Sequence, residues 1–174
     1  LGRRAQVPLV REEFAVGHNV LRMRWSRPLV KDVAFFSYKP QEFAAAAISS
    51  DGKTVYIGSS QKTLFALNRE SGATLWERTF PSSLSSQPLY IPAGTAGPEA
   101  LLILGEDAGV VTALEASSGQ QRWSYRTRGP VQTQPLLSGS LVYITSNEGR
   151  VYALDVRTGA WRWQYERETA DTFS

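Results

Sequence analysis

The sequence predicts an all-β fold: a β-propeller with four-stranded antiparallel blades, of which three blades and one further outer strand fall within the 174 residues. Three observations carry this. First, one 22-residue pattern occurs three times without gaps: VYIGSSQKTLFALNRESGATLW from Val55, LILGEDAGVVTALEASSGQQRW from Leu102 and VYITSNEGRVYALDVRTGAWRW from Val142. Second, the copies are 47 and then 40 residues apart, the period of a four-stranded propeller blade. Third, Val55 to Trp163 contains no amphipathic stretch of ten or more residues, which helical repeats of this period require.

Each copy reads as strands. Val55-Tyr56-Ile57 and Leu64-Phe65-Ala66-Leu67 are short apolar runs separated by the polar loop from Gly58 to Lys62, a hairpin pattern. The runs hardly alternate, so both faces of the sheet are expected to be buried. Asn68 to Gly72 is the next turn, with Gly72 expected at positive φ and Ser71 bonding the turn backbone. Leu75 to Thr79 follows as the outer strand. Ala44 to Ile48 supplies the innermost one, with counterparts at Gln87 to Ile91 and Gln134 to Leu137. Pro88 and Pro135 suit the start of an edge-like strand. The seven extra residues of the second copy fall in the loop Pro92 to Pro98.

These elements divide the chain into blades at residues 43–80, 83–127 and 130–167, with an exit loop at 168–174. Residues 1–30 form an N-terminal segment that contains a tryptophan strand, Leu21 to Ser26, similar to Gln121 to Ser124. That strand has no Ala-Leu partner upstream and is expected to complete the last, ring-closing blade. Three blades and a strand do not make a ring of four to eight blades. The expectation is therefore a partial ring, completed by remaining blades or by a second copy.

Composition removes several chemistries. The chain has no Cys and a single His, His18, which excludes disulfides, thiolate metal sites and His-rich metal sites within it. The net charge of +3 comes from scattered residues, so no nucleic-acid partner is expected. No apolar run approaches the length of a transmembrane helix. Leu1 to Arg11 has no signal-peptide core. Glu106-Asp107 is read as a solvated hairpin loop rather than a calcium site, because no spacing supplies six to eight oxygen ligands. There is no Gly-x-Ser-x-Gly elbow. Gly94-Thr95-Ala96-Gly97 lacks the lysine of a phosphate loop and reads as a surface insertion. His18 has no acid or base partner in the sequence. Arg3, Arg4, Arg22, Arg24 and Arg27 read as a solvated basic face. No catalytic, metal-binding or cofactor-binding residue is expected, and no cofactor.

In each copy the same triplet recurs: Ala66, Gly72, Trp76; Ala113, Gly119, Trp123; Ala153, Gly159, Trp163. The stretches ALNRESGATLW, ALEASSGQQRW and ALDVRTGAWRW resemble the PQQ-type propeller repeat, whose tryptophan-docking pattern is Ala-x-Asp/Asn-x-x-Ser/Thr-Gly-x-x-x-Trp. Glu115 departs from it at the Asp/Asn position. The resemblance implies that these nine residues and Trp25 are structural, each Trp packing between neighbouring blades against Ala and the Gly turn.

Within that family, the order of a Trp strand followed directly by blade one is similar to the eight-bladed propeller lipoproteins of the outer-membrane β-barrel assembly machinery. That likeness implies a non-enzymatic scaffold on the periplasmic face of the outer membrane of a Gram-negative bacterium. Its membrane attachment would run only through a lipid anchor outside this sequence, and its partner would be a BamA-like outer-membrane barrel subunit. It also implies that the loop after the third blade carries the contact, which makes Asp171, Thr172 and Phe173 candidates. The alternative for Phe173 is burial at the start of a fourth blade's inner strand. Trp161 replaces the polar Thr74 and Gln121 of the other copies; it is a contact candidate, with ordinary packing as the alternative. If its strand is regular, Trp161 points to the same side as Trp163. Two other readings remain open: part of a PQQ-dependent dehydrogenase, and an interaction domain attached to another protein such as a bacterial kinase.

Overall fold

A computed structural model describes residues 13–16, 19–22, 25–26 and 45–166. Its core is three four-stranded antiparallel sheets, each a meander from inner to outer strand. The first holds β3 (Ala47–Ile48), β4 (Thr54–Gly58), β5 (Thr63–Asn68) and β6 (Thr74–Thr79). The second holds β7 (Leu89–Ile91), β8 (Leu101–Gly105), β9 (Val110–Glu115) and β10 (Gln121–Arg126). The third holds β11 (Leu136–Ser138), β12 (Leu141–Ser146), β13 (Arg150–Asp155) and β14 (Trp161–Glu166). The described residues contain no helix. The fold is the β-propeller class, in an open series of three blades.

The sequence explains the stacking. In the middle sheet Leu102, Leu104, Leu114 and Ala116 pack on Tyr56, Leu64 and Ala66 of the first blade. Their strand neighbours Leu101, Ile103, Val111 and Ala113 pack on Val142, Ile144, Tyr152 and Leu154 of the third. Successive side chains of a strand face opposite ways, so a sheet sandwiched between two others needs apolar residues at every position. That is why β8 is buried along its whole length and why its sequence does not alternate.

Linkers between blades are anchored by close approach. A Cβ on Gly58 would stand 2.8 Å from the Cβ of Leu84, and one on Gly105 would overlap Val131. Leu84 and Val131 occupy equivalent places after the first and second blades and are both buried. The glycines are needed because a backbone lies where a side chain would go.

Several expectations are corrected. The inner strands start later than anticipated, at Ala47, Leu89 and Leu136. Pro88 and Pro135 stand just ahead of them, since a proline cannot donate to the ladder. Trp25 lies outside any strand. The nearby strand is β2 (Asn19–Arg22), which pairs with β1 (Glu13–Val16) as a separate two-stranded sheet. Two four-residue runs separated only by Gly17-His18 carry a hairpin signal that is independent of the blade repeat. Glu106 is buried rather than solvated. Residues 1–12, His18, Arg24 and Arg27 lie outside the described residues, as does the exit loop 168–174 with Asp171, Thr172 and Phe173.

Candidate interaction surface

The tryptophans join one blade to the next by a repeated geometry. Each outer strand carries a β-bulge just before its Trp, at Ala66↔Trp76, Ala113↔Trp123 and Ala153↔Trp163. The extra residue is Leu75, Arg122 or Arg162. A bulge re-aims the following side chain. The Trp76 ring then lies on Gly119, 2.8 Å from where its Cβ would be, and the Trp123 ring lies on Gly159 at 2.6 Å. Their Nε1 groups donate to the carbonyls of Ala116 (3.1 Å) and Val156 (3.0 Å). Trp25 occupies the same place on the first blade without belonging to a strand there. Its ring lies 2.7 Å from a Cβ on Gly72, and Nε1 donates to the Arg69 carbonyl at 2.7 Å.

The sockets are built locally. Gly72, Gly119 and Gly159 take φ of +68°, +71° and +71°, a conformation costly for residues with a Cβ. In the first blade Asn68 Oδ1 accepts from the amides of Glu70 and Ser71, and in the third Asp155 Oδ1 accepts from those of Arg157 and Thr158. Glu115 is one methylene longer, and its carboxylate accepts from the Ser117 hydroxyl instead.

Other side chains reinforce these joints without a motif to announce them. Arg78 reaches from the first blade to the Gly119 carbonyl (3.0 Å) and Gln121 Oε1 (2.9 Å). The Tyr56 hydroxyl donates to the Ala116 carbonyl at 3.2 Å, and burial pushes its pKa up to about 12. Glu106 stands where the other blades have Ser59 and Ser146. The Thr112 hydroxyl donates to it at 3.1 Å, and burial raises its pKa. Asp107 accepts from the Ser85 hydroxyl and from Gln132, so this acidic pair ties both linkers to the second blade. Among the described residues, no group of three or more His, Asp or Glu could hold a metal ion.

The third blade ends the series with its outer strand bare. Every residue of β14 is exposed, including Trp161, Trp163 and Tyr165, and on the inner strand Leu136 is 65% exposed. Trp163 opposes Ala153 in the same register as Trp76 and Trp123 in theirs, yet it is 42% exposed. It finds no glycine socket among the described residues and leans on Tyr143 at 5.8 Å. The condition for Trp161 and Trp163 to share a side fails, because the bulge between them interrupts the alternation. At the end of this strand Glu166 accepts from Arg150 at 2.6 Å, which raises the arginine's pKa and lowers the carboxylate's.

Comparison with known proteins agrees with this architecture. The family described as "Outer membrane protein assembly factor BamB" matches residues 17–91 and 90–173. The chain belongs to the BamB family. Within the family it is 31% identical to the assembly factor of Alkalilimnicola ehrlichii over 144 residues, covering 82% of this chain and 33% of that protein. It is 26% identical to that of Escherichia coli K12 over 198 residues, covering 86% of this chain and 50% of the relative. The crystal structure of BamB from Moraxella catarrhalis superposes with a TM-score of 0.59 at 31% identity, covering 71% of this chain and 36% of that one. The chain thus spans about a third to a half of these relatives. A europium-containing methanol dehydrogenase, at 20% identity and a TM-score of 0.56, covering 69% of this chain and 24% of that one, shares the fold.

Proposed function

We propose that the chain is part of a non-enzymatic propeller scaffold that supports assembly and insertion of outer-membrane β-barrel proteins through protein–protein contacts. The observation that carries this is the BamB family match across residues 17–173. The same reading puts the intact protein on the periplasmic face of the outer membrane of a Gram-negative bacterium, held by a lipid anchor outside this sequence. Its partner is a BamA-like barrel subunit. Further blades, or a second copy, cover the bare third blade and give Trp163 its socket.

The contact to the barrel subunit is assigned to the exit loop, with Phe173 as anchor, Thr172 beside it, and Asp171 on the rim. An aromatic in a polar loop is a frequent interface anchor, and a rim carboxylate affects mainly association rate and salt dependence. Trp161 is the second contact candidate, supported by its exposure on the outer strand.

Capture of a BamA-like protein by the intact protein tests this. Wild type should retain it, and Phe173→Ala should lose most of the capture. Asp171→Ala should lose capture mainly at low salt, with the difference from wild type shrinking as salt rises. Absence of capture by wild type sinks the scaffold reading. Unchanged capture by a folded Phe173→Ala protein removes Phe173 from the interface and leaves it to a fourth blade's inner strand. A change in absorbance on adding PQQ and calcium would favour a quinoprotein instead.

A further inference from the structure

The insertion that distinguishes the second blade builds one wall of a cleft. Pro92 to Pro98 is held by its own turn, with Gly94 N donating to Gly97 O at 2.7 Å and Thr95 N to Pro92 O at 3.2 Å. Ala96 at its apex is buried with Leu101 and Val156 in the core between the second and third blades. The insertion is therefore pinned against the body of the protein. Its outer side, at Gly97, Pro98 and Glu99, faces Arg122 and the third blade's turn from Asp155 to Thr158 across about 440 Å³.

The charges in this cleft are unevenly satisfied. Asp155 is fully engaged: it accepts from two turn amides, the Thr158 hydroxyl and, at 2.8 Å, Arg162. Arg122 has only a 4.0 Å contact with Glu115 and is 44% exposed. The guanidinium of Arg157 is exposed and has no ion-pair or hydrogen-bond partner among the described residues. Two guanidinium groups on neighbouring blades thus face one cleft with most of their donors unused. A guanidinium matches a carboxylate through two parallel hydrogen bonds. Apolar residues of the second blade, Pro98 and Leu101, share the lining with these charges, and an extended peptide can span from one arginine to the other.

We propose that this cleft binds an extended acidic peptide segment of a protein partner, its carboxylates paired to Arg122 and Arg157. The site exists only because the inserted loop walls it. The first and third blades lack that loop. Glu99 at the rim opposes acidic residues there and limits how far the acidic stretch can extend. The site does not depend on outer-membrane assembly being the biological role: peptide binding can hold while capture of a barrel subunit fails, and the reverse.

The test is fluorescence anisotropy of a labelled hexaglutamate peptide with the intact protein at low salt, with hexaglutamine as the neutral probe. Hexaglutamate should bind and hexaglutamine should not. Arg122→Glu and Arg157→Glu should each weaken binding by about tenfold, and Glu99→Gln should tighten it. Arg69→Glu, an equal charge change on the first blade, should have little effect. Circular dichroism of each variant reports that it still folds. Failure of hexaglutamate to bind overturns the proposal, as does equal weakening by Arg69→Glu, which would show a response to net charge alone. Competition by free glutamate as effective as the peptide, at equal carboxylate concentration, overturns the peptide class.

Discussion

The indole of Trp123 lies so close to Gly159 that a Cβ on the glycine would stand 2.6 Å from two of its ring carbons. The same ring donates Nε1–H to the Val156 carbonyl and is 7% exposed. One side chain of the second blade thereby fills a notch in the third and satisfies a backbone carbonyl at its edge.

Removing that ring should be costly. Trp123→Ala leaves a large cavity and an unpaired carbonyl, with an expected loss of about 3–5 kcal/mol. Trp161→Ala removes a ring that is 52% exposed and should change stability by at most about 0.5 kcal/mol. Urea denaturation of both variants checks the contrast, and equally mild effects would show that Trp123 does not dock.

The glycine should matter as much as the ring. Gly159→Ala adds strain at φ +71° and drives a methyl into Trp123. Gly139 also has positive φ, at +59°, but nothing lies within 4 Å of its Cβ position. Gly139→Ala should then cost about 1 kcal/mol for conformation alone, and Gly159→Ala clearly more. Thermal melts of the two variants separate conformational strain from steric overlap.

Lys62 is the one non-glycine residue at positive φ among those described, at +65°. Its equivalents are Gly109 and Gly149, at +76° and +83°. Lys62→Gly relieves the strain while adding freedom to the unfolded chain, for an expected net gain of about 0.5 kcal/mol. A rise in the denaturation midpoint with unchanged slope is the expected result.

Two carboxylates should give opposite pH dependence. Burial raises the pKa of Glu106 in the folded protein. The folded state then binds its proton more tightly than the unfolded one, so this group lowers stability as pH climbs from the ordinary carboxylate value through the raised one. Arg162, with the turn's Thr158 and Arg157, holds Asp155 down to about 2. Its contribution is present above about 3.8, its ordinary value, and is lost as pH falls toward 2. Glu106→Gln should therefore flatten the decline on the weakly acidic to neutral side. Asp155→Asn should reduce the loss of stability below pH 4. Denaturation midpoints measured against pH read both slopes.

The blade repeat was legible in the sequence because each copy carries the same conformational demands. Ala faces the Trp across the ladder, Gly takes positive φ, and apolar residues fill consecutive positions of strands buried on both faces. These are local or nearest-neighbour requirements, so they leave a periodic trace. What Trp25 does was only half legible. Its residue type matched the repeat, but its approach to Gly72 without a blade strand depends on a contact 47 residues away along the chain.

The environment of Glu106 and the cleft beside Arg122 and Arg157 were decided by tertiary structure alone. In sequence, Glu106-Asp107 is a polar doublet in a hairpin loop, and Arg157 is one charge in a turn. Their character comes from what other segments place over them: the linker carrying Ser82 and Ser85 above the acidic pair, and the inserted loop opposite the arginines. The sequence by itself determined the outer three strands of each blade, their turns and the tryptophan spacing, since those follow from backbone conformation and the residue pattern along each strand. Burial of a charge and the walls of a cleft arise only when separate segments meet, and no local pattern records that meeting.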